Sequence, residues 1–339
     1  MSTPDSILTF LKRHGSSGSK VLCEHLDISR QALNVHLNRL IDQGLVVRTG
    51  ITRNTRYFLP DQLPPPKPYG GEFSTDGLEE HRIYQRIALS LNLPASLRQE
   101  PQTIFHYVFT EILNNAIDHS ESEKVRISVL LEAGSISAEI RDSGIGVFAS
   151  IAQKLGYPDE QDALLQLVKG KTTTMPEAHS GEGIFFSSKA ADSFVIRSHK
   201  IHVEWSKRHQ DVFVSDCRFV KGTHVRFRVR RDSRTRMEEI FSKFAPREYD
   251  FKFARSTVHV KLLGTRYISR SEARRLLINF EKFKQIELDF INVENVGQGF
   301  ADEVFRVFKA RNPEIDIEIL NIGPAVKAMI EHARNSGSS

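Results

Sequence analysis

Residues 109–120 read FTEILNNAIDHS, and the rest of the 339-residue chain is best understood outward from them. The spacing predicts the end of an amphipathic helix. Phe109, Leu113 and Ala116 share one face, with Ile112 and Ile117 beside it. Glu111 and Asn115 are four apart, so they leave one side of the helix a turn apart. A carboxylate stacked on a carboxamide can hold a water and a divalent ion. A helix with a merely polar face would look the same, so the pair alone decides nothing. Three further stretches follow in order. Residues 140–148 are IRDSGIGVF, residues 179–186 are HSGEGIFF, and residues 221–227 are KGTHVRF. Each Gly-x-Gly is a weak signal by itself, because glycine turns are common. Their order after an acidic helix carries the information.

Together these pieces resemble the N, G1, G2 and terminal Gly-Thr boxes of the GHKL ATPase superfamily. That superfamily includes the gyrase B subunit, the large heat-shock chaperone, MutL, histidine kinases and anti-sigma serine kinases. The resemblance covers roughly residues 78–232 and implies an α/β sandwich that binds ATP with Mg2+. By resemblance, Asp142 accepts a hydrogen bond from the adenine amino group, which an acceptor-only side chain can do while rejecting a carbonyl there. Thr223 shares a water with that carboxylate and the base. Gly144 and Gly146 keep the floor under the base free of Cβ atoms. Gly181 and Gly183 let backbone N–H groups approach phosphates at a helix N-terminus. Asn115 supplies an oxygen to magnesium. Lys171, in the polar, Thr-rich segment 170–183 that reads as a lid, matches no motif position, although it could reach a γ-phosphate.

Glu111 separates the subfamilies. A carboxylate there can orient and deprotonate a water, or a serine hydroxyl, for in-line attack on the γ-phosphate. Gyrase-like ATPases and anti-sigma serine kinases carry Glu at this place, and EILNNAID resembles the gyrase form. GEGIF is a minimal G2 box, which bears on lid closure more than on adenine binding. His81, in LEEHRIYQ, lies upstream of the box, but the chain there is too short for the two long helices of a histidine-kinase dimerisation domain. It reads as an ordinary exposed residue.

Residues 1–60 form a small basic head. Residues 4–14, 20–26 and 30–43 read as helices, and Ser29 is placed to cap the third. Leu33, Leu37, Leu40 and Ile41 make one buried stripe, leaving Arg30, Gln31, Asn34 and Asn38 on the opposite face. Gly44 stops the helix, and residues 45–48 and 56–59 read as strands around a loop. This order resembles a winged helix-turn-helix. Arg30, Gln31, Asn34 and Asn38 could then meet base edges in a major groove, and Arg48, Arg53 and Arg56 could lie along phosphates of double-stranded DNA. A winged helix used only for protein contacts would carry the same pattern.

Residues 61–77 read as a proline-rich linker, stiff at first and loosened by Gly70 and Gly71. Three or four strands are expected in 193–229 at the end of the ATPase module. Residues 248–335 alternate strand and helix, with a strand read at 258–263 and helices at 270–283 and 299–310 among them, which predicts a small α/β domain. There, LDFINVENVGQGFADEVFRVF resembles the central strand–loop–helix of STAS domains, the fold of anti-sigma-factor antagonists. In that family a Ser or Thr in the loop is phosphorylated. Residues 287–306 hold neither, and Gln298 stands where the acceptor would be. A docking or regulatory tail is what remains.

The net charge of +5 permits a polyanion partner without requiring one. Cys23 and Cys217 are the only cysteines, too few for a zinc cluster or a disulfide framework. No apolar run is long enough to cross a bilayer and no signal-peptide pattern opens the chain. The expectation is a cytoplasmic multidomain α+β protein: winged-helix head, GHKL α/β sandwich and small STAS-like α/β tail. It would bind and hydrolyse ATP with Mg2+, couple this to DNA binding and transcription regulation, meet a protein partner through its tail, and act as a homodimer. The alternatives are a serine/threonine protein kinase of the anti-sigma type and an ATP-sensing regulator that does not turn ATP over.

Overall fold

The computed structural model describes residues 2–49, 55–62, 67–170, 182–246, 253–263, 267 and 269–335. The chain divides into two compact units, Met1–Pro66 and Lys67–Ser339.

In the first unit, α1 (Thr3–His14), α2 (Ser19–Leu26) and α3 (Arg30–Asp42) pack around Ile7, Leu11, Leu22, Leu33, Leu37 and Leu40. Ser29 caps α3 as the sequence predicts, its hydroxyl accepting from the Ala32 N–H at 3.2 Å, and Ser2 and Asp5 close a capping box on α1. Strands β1 (Val47–Thr49) and β2 (Arg56–Phe58) pair antiparallel, Val47 opposite Phe58, as the base of a wing.

The second unit is built on a five-stranded antiparallel sheet of order β3-β4-β5-β7-β6. Its strands are β3 (Tyr69–Ser74), β4 (Lys124–Leu131), β5 (Ser135–Asp142), β6 (Ser193–Ser206) and β7 (Asp211–Arg230). Helices α4 (Glu80–Ser90), α5 (Leu93–Ser96) and α6 (Gln99–Asp118) precede the central strands. Then α7 (Val147–Leu155), α8 (Glu160–Lys169) and α9 (Gly183–Ala190) follow β5, and α10 (Met237–Phe244) follows β7. The central strands bury alternate residues under the helices: Val125, Ile127 and Val129 from β4, Ile136, Ala138 and Ile140 from β5. From the helical side α6 contributes Ile104, Phe105, Val108, Phe109, Ile112 and Leu113, all buried.

Two expectations change here. Tyr69–Ser74, read as linker, is the edge strand paired with β4. Its glycines read as flexible because they lack side chains, but a Cβ on Gly70 would lie 2.7 Å from the Ile127 carbonyl oxygen. Close backbone approach, not looseness, explains that glycine. The three or four expected closing strands are two long ones, β6 and β7, whose register shifts around His199. Those irregularities look like strand ends in sequence.

The tail carries a parallel sheet of order β10-β9-β8, formed by β8 (Arg255–His259), β9 (Gln285–Asp289) and β10 (Asp316–Leu320). Helix α11 (Arg270–Leu277) opens on a Ser269–Glu272 capping box. It stops six residues before the expected Phe283, because Asn279 adopts φ 66° and a 3-10 turn, Phe280–Lys282, follows. The expected strand 258–263 is β8 followed by a 3-10 turn, Val260–Leu263. The expected helix 299–310 is a composite: α12 (Gln298–Asp302), a π-helical turn Glu303–Phe308 and α13 (Lys309–Arg311). Helix α14 (Pro324–Asn335) completes the tail. Its buried Leu288, Phe290 and Val304 join the same continuous core as Phe109 and Phe227. No helix among the described residues is long and apolar enough to cross a membrane.

Candidate functional site

Asp142 ends β5 and is 4 % exposed. Its Oδ1 accepts from the Gly144 N–H at 3.0 Å and the Thr223 N–H at 3.1 Å. Burial pushes the carboxyl above its ordinary value, and these backbone donors pull it back. The approach of β7 to Asp142 depends on Gly222. It has φ +74°, and a Cβ there would lie 2.5 Å from Asp142 Oδ1 and 2.7 Å from the Gly144 nitrogen. Thr223 acts twice. Its N–H serves Asp142, and its hydroxyl oxygen accepts from the Val147 N–H at 2.9 Å, fixing the start of α7.

The glycine loop after β5 is tied to the end of α6. The Ser120 carbonyl accepts from the Ile145 N–H at 2.9 Å, and the Ser120 hydroxyl donates to the Ala116 carbonyl at 2.5 Å. A Cβ on Gly144 would fall 1.7 Å from the Ser120 oxygen. Gly146 has φ +84°, and a Cβ there would meet the Ser198 hydroxyl at 2.6 Å. The acidic helix and the Asp142 loop are therefore one rigid assembly, stitched at Ser120.

Glu111 and Asn115 project from α6 as the spacing predicts. A Cβ on Gly183 would lie 2.0 Å from Glu111 Oε2, so the carboxylate rests against the first residue of α9. That helix end favours negative charge. The Asn115 Nδ2 atom is buried without a hydrogen-bond partner. An unmet polar atom of this kind costs about 1–3 kcal/mol, and no hydrogen bond among the described residues holds the Nδ2 end of the carboxamide, so the group can rotate to offer its oxygen to a cation. The glycine floor and the unmet carboxamide fit a nucleotide with its magnesium ion. Among the described residues no cluster of three or more His, Cys, Asp or Glu could hold a metal alone. A cation at Asn115 would draw its remaining oxygens from phosphates and water.

Sequence reasoning missed several neighbours. Tyr107, one turn before Glu111, has its phenol pushed up by burial and then by Glu111 and Glu182. His199, beside Gly146, pairs with Glu160 at 2.7 Å and stacks on Phe219. The helical offset of four from Glu111 could have flagged Tyr107; only the fold brings His199 near. Gly181 and Lys171 lie outside the described residues.

In the head, Arg30, Gln31, Asn34 and Asn38 are all exposed on α3, opposite the buried leucines. Arg48 and Arg56 are exposed on the paired strands, and Arg56 donates to the Ser16 hydroxyl at 3.4 Å. Arg53 lies outside the described residues.

Comparison with protein-family models agrees with this division. Residues 6–56 match the MarR family, 100–233 match the histidine kinase-, DNA gyrase B- and HSP90-like ATPase, and 272–327 match a STAS-like domain of unknown function. No curated protein matches the chain. The matches support an ATP-binding regulator with a DNA-binding head. In order along one polypeptide, the chain joins a MarR-like winged helix, a GHKL-type ATPase domain and a STAS-like domain.

Proposed function

We propose that this protein is a cytoplasmic transcription regulator whose DNA binding responds to ATP, bound with Mg2+ and hydrolysed at the Asp142–Asn115–Glu111 site. The observation that carries the reading is the stitched assembly just described. One loop presents the buried Asp142 carboxylate, and the helix tied to it presents Glu111 and the partnerless carboxamide of Asn115.

Asp142 receives the adenine amino group on its carboxylate, while Gly144 and Gly146 let the base lie against backbone. Asn115 turns its oxygen to the cation. Magnesium, when bound, neutralises charge that builds on the phosphates. Glu111 orients an attacking water and takes its proton. Before that it must leave the N-terminus of α9, where its carboxylate rests and where phosphates would also be favoured. Exchange of one anion for another at that helix end gives the site two arrangements for ATP to choose between.

The tail would read that choice through α8. Helix α8 leads into the expected lid, and the tail grips it: Arg275 binds Asp162 at 2.6 Å, and Lys169 donates to the Ile278 carbonyl at 2.8 Å. A protein partner docking on the tail would bias the lid through these bonds. A homodimer would present two heads to two half-sites.

The test is phosphate release from the full chain with ATP and Mg2+, wild type beside Glu111→Ala. Release in the wild type, reduced at least 100-fold in the variant, is expected. Tight ATP binding without release in either protein would overturn the hydrolytic step. Labelled γ-phosphate on a protein serine or threonine would replace it with the kinase reading.

A further inference from the structure

The five-stranded sheet has helices on one face only, and its other face is basic. Outward residues follow from the pleat: Lys124 and Arg126 on β4, Glu139 and Arg141 on β5, His224, Arg226 and Arg228 on β7, Arg197 on β6. The registers set several of these in line. Arg126 is opposite Arg141, Arg141 opposite His224, and His224 opposite Arg197. Four strands thus present one transverse row of basic side chains, spanning roughly 14 Å at the usual strand spacing. Along β7, Arg226, Arg228 and Arg230 are all exposed and rise in steps of about 6.7 Å.

Such a row opposes folding, since like charges directly opposite in a sheet repel. It is only partly compensated. Glu72 pairs with Lys124 and Arg126, both at 3.1 Å, and Glu139 with Arg141 at 2.7 Å and Arg226 at 3.4 Å. Arg197 and Arg228 have no carboxylate partner among the described residues. The imidazole of His224 is held below its ordinary value by burial, then by Arg141 and Arg197, despite Glu139 nearby.

We infer that this open sheet face is a second polyanion-binding surface of the protein, and that its occupant is the phosphate backbone of duplex DNA, bound without regard to sequence. Charge complementarity selects a polyanion, and the side chains select the kind. Guanidinium groups dominate, and they meet phosphate oxygens in a fork that ammonium groups cannot form. A membrane-binding face would set large apolar side chains among its cations. Here the outward apolar residues beside the arginine row are Leu130 and Val195, both partly buried, and the exposed Phe213 and Phe219 lie on the earlier half of β7, beyond the register shift at His199. The surface differs from the head, whose candidate base contacts lie on α3. It would add salt-dependent, sequence-independent affinity to whatever the head selects.

The experiment compares the full-length wild type with Arg226→Ala/Arg228→Ala and, separately, with Arg30→Ala/Arg48→Ala in the head. Affinity for a random-sequence 30-base-pair duplex is measured across a salt series, with phosphatidylserine vesicles as a second probe. Each phosphate contact contributes about 0.9 to the slope of log affinity against log salt. The sheet variant should lose about 2 from that slope and at least 10-fold in affinity at moderate salt. Its ATP affinity should not change, and its unfolding temperature should change little, because the Arg226–Glu139 pair is long and largely solvent-exposed and Arg228 has no carboxylate partner among the described residues. A purely structural role for the arginines would lower that temperature. An unchanged slope and duplex affinity in the sheet variant would overturn the inference. So would wild-type vesicle binding lost on substitution while duplex binding stayed intact. The head variant reports on the head alone, so either surface can fail without the other.

Discussion

Gly222 shows how little room the Asp142 pocket leaves. Its φ of +74° is strained for any other residue, and a Cβ would press on Asp142 and Gly144 together. Gly222→Ala should lower unfolding stability by about 1–3 kcal/mol and remove measurable ATP binding, read by denaturant unfolding and calorimetry. Asp142→Asn is the gentler probe. Its Oδ1 can still accept from Gly144 and Thr223, but an amide N–H₂ replaces the oxygen proposed to meet the adenine amino group. Loss of a hydrogen bond to a charged group is worth about 1.5–3 kcal/mol, so ATP affinity should fall by 10-fold or more with little change in stability. Asp142, Gly144 and the Gly-Thr pair stand out in sequence because the chemistry demands those residue types in that order. Ser120 does not stand out. Its carbonyl positions the loop, and any residue has a carbonyl, so only the fold reveals it.

At the scale of elements, α8 is where the tail meets the nucleotide module. Asp162 is 7 % exposed, and its ion pair with Arg275 is backed by Asn279, whose amide donates to the Tyr157 hydroxyl at 2.9 Å and to Gln166 at 3.2 Å. Removing Arg275 leaves a buried carboxylate short of a partner. Because the Arg275 side chain is 44 % exposed, the expected loss for Arg275→Ala is modest, about 1–2 kcal/mol, measurable as a lower unfolding midpoint. Lys169 offers a pH test. Burial lowers its ammonium from 10.5 to about 7, against the pull of Glu281 and Asp162. Below about pH 7 it is protonated in folded and unfolded chains alike, and the cost of burying the charge is carried in full. As pH rises from there toward 10.5, the folded chain is neutral at this position while the unfolded chain stays protonated. Stability from this group therefore grows with pH, by at most about 1.4 kcal/mol per unit. Unfolding midpoints of wild type and Lys169→Met at pH 7 and pH 9 should show an alkaline gain in the wild type that the variant lacks. Elements were legible where periodicity was strong, as in α3 and α6. They were misread where backbone pairing, not side-chain pattern, makes the strand, as at Tyr69–Ser74, and where a register shift inside β6 and β7 looked like an end.

Over the whole molecule, the three-part order was readable from motifs alone, because each part carries its own signature. The continuity of the core from the nucleotide module into the tail was not, because it rests on contacts between residues more than a hundred positions apart, such as Lys169 with Ile278. In the proposed function, that continuity makes the tail part of the body that responds to ATP. Neutralising Arg226 and Arg228 on the basic sheet face should weaken duplex binding most at low salt, where counterion release is greatest.

The central claim is that nucleotide at Asp142 changes how the protein holds DNA. Its most direct test is the affinity of the full chain for duplex DNA at fixed salt, without nucleotide and with saturating Mg-ATP, for wild type and Asp142→Asn. A coupling of about 1–3 kcal/mol predicts a 5- to 150-fold shift in the wild type, and a smaller one in the variant at an ATP concentration that saturates the wild type but not the variant. Equal DNA affinity with and without ATP, in a wild type shown by calorimetry to be saturated, would contradict the account.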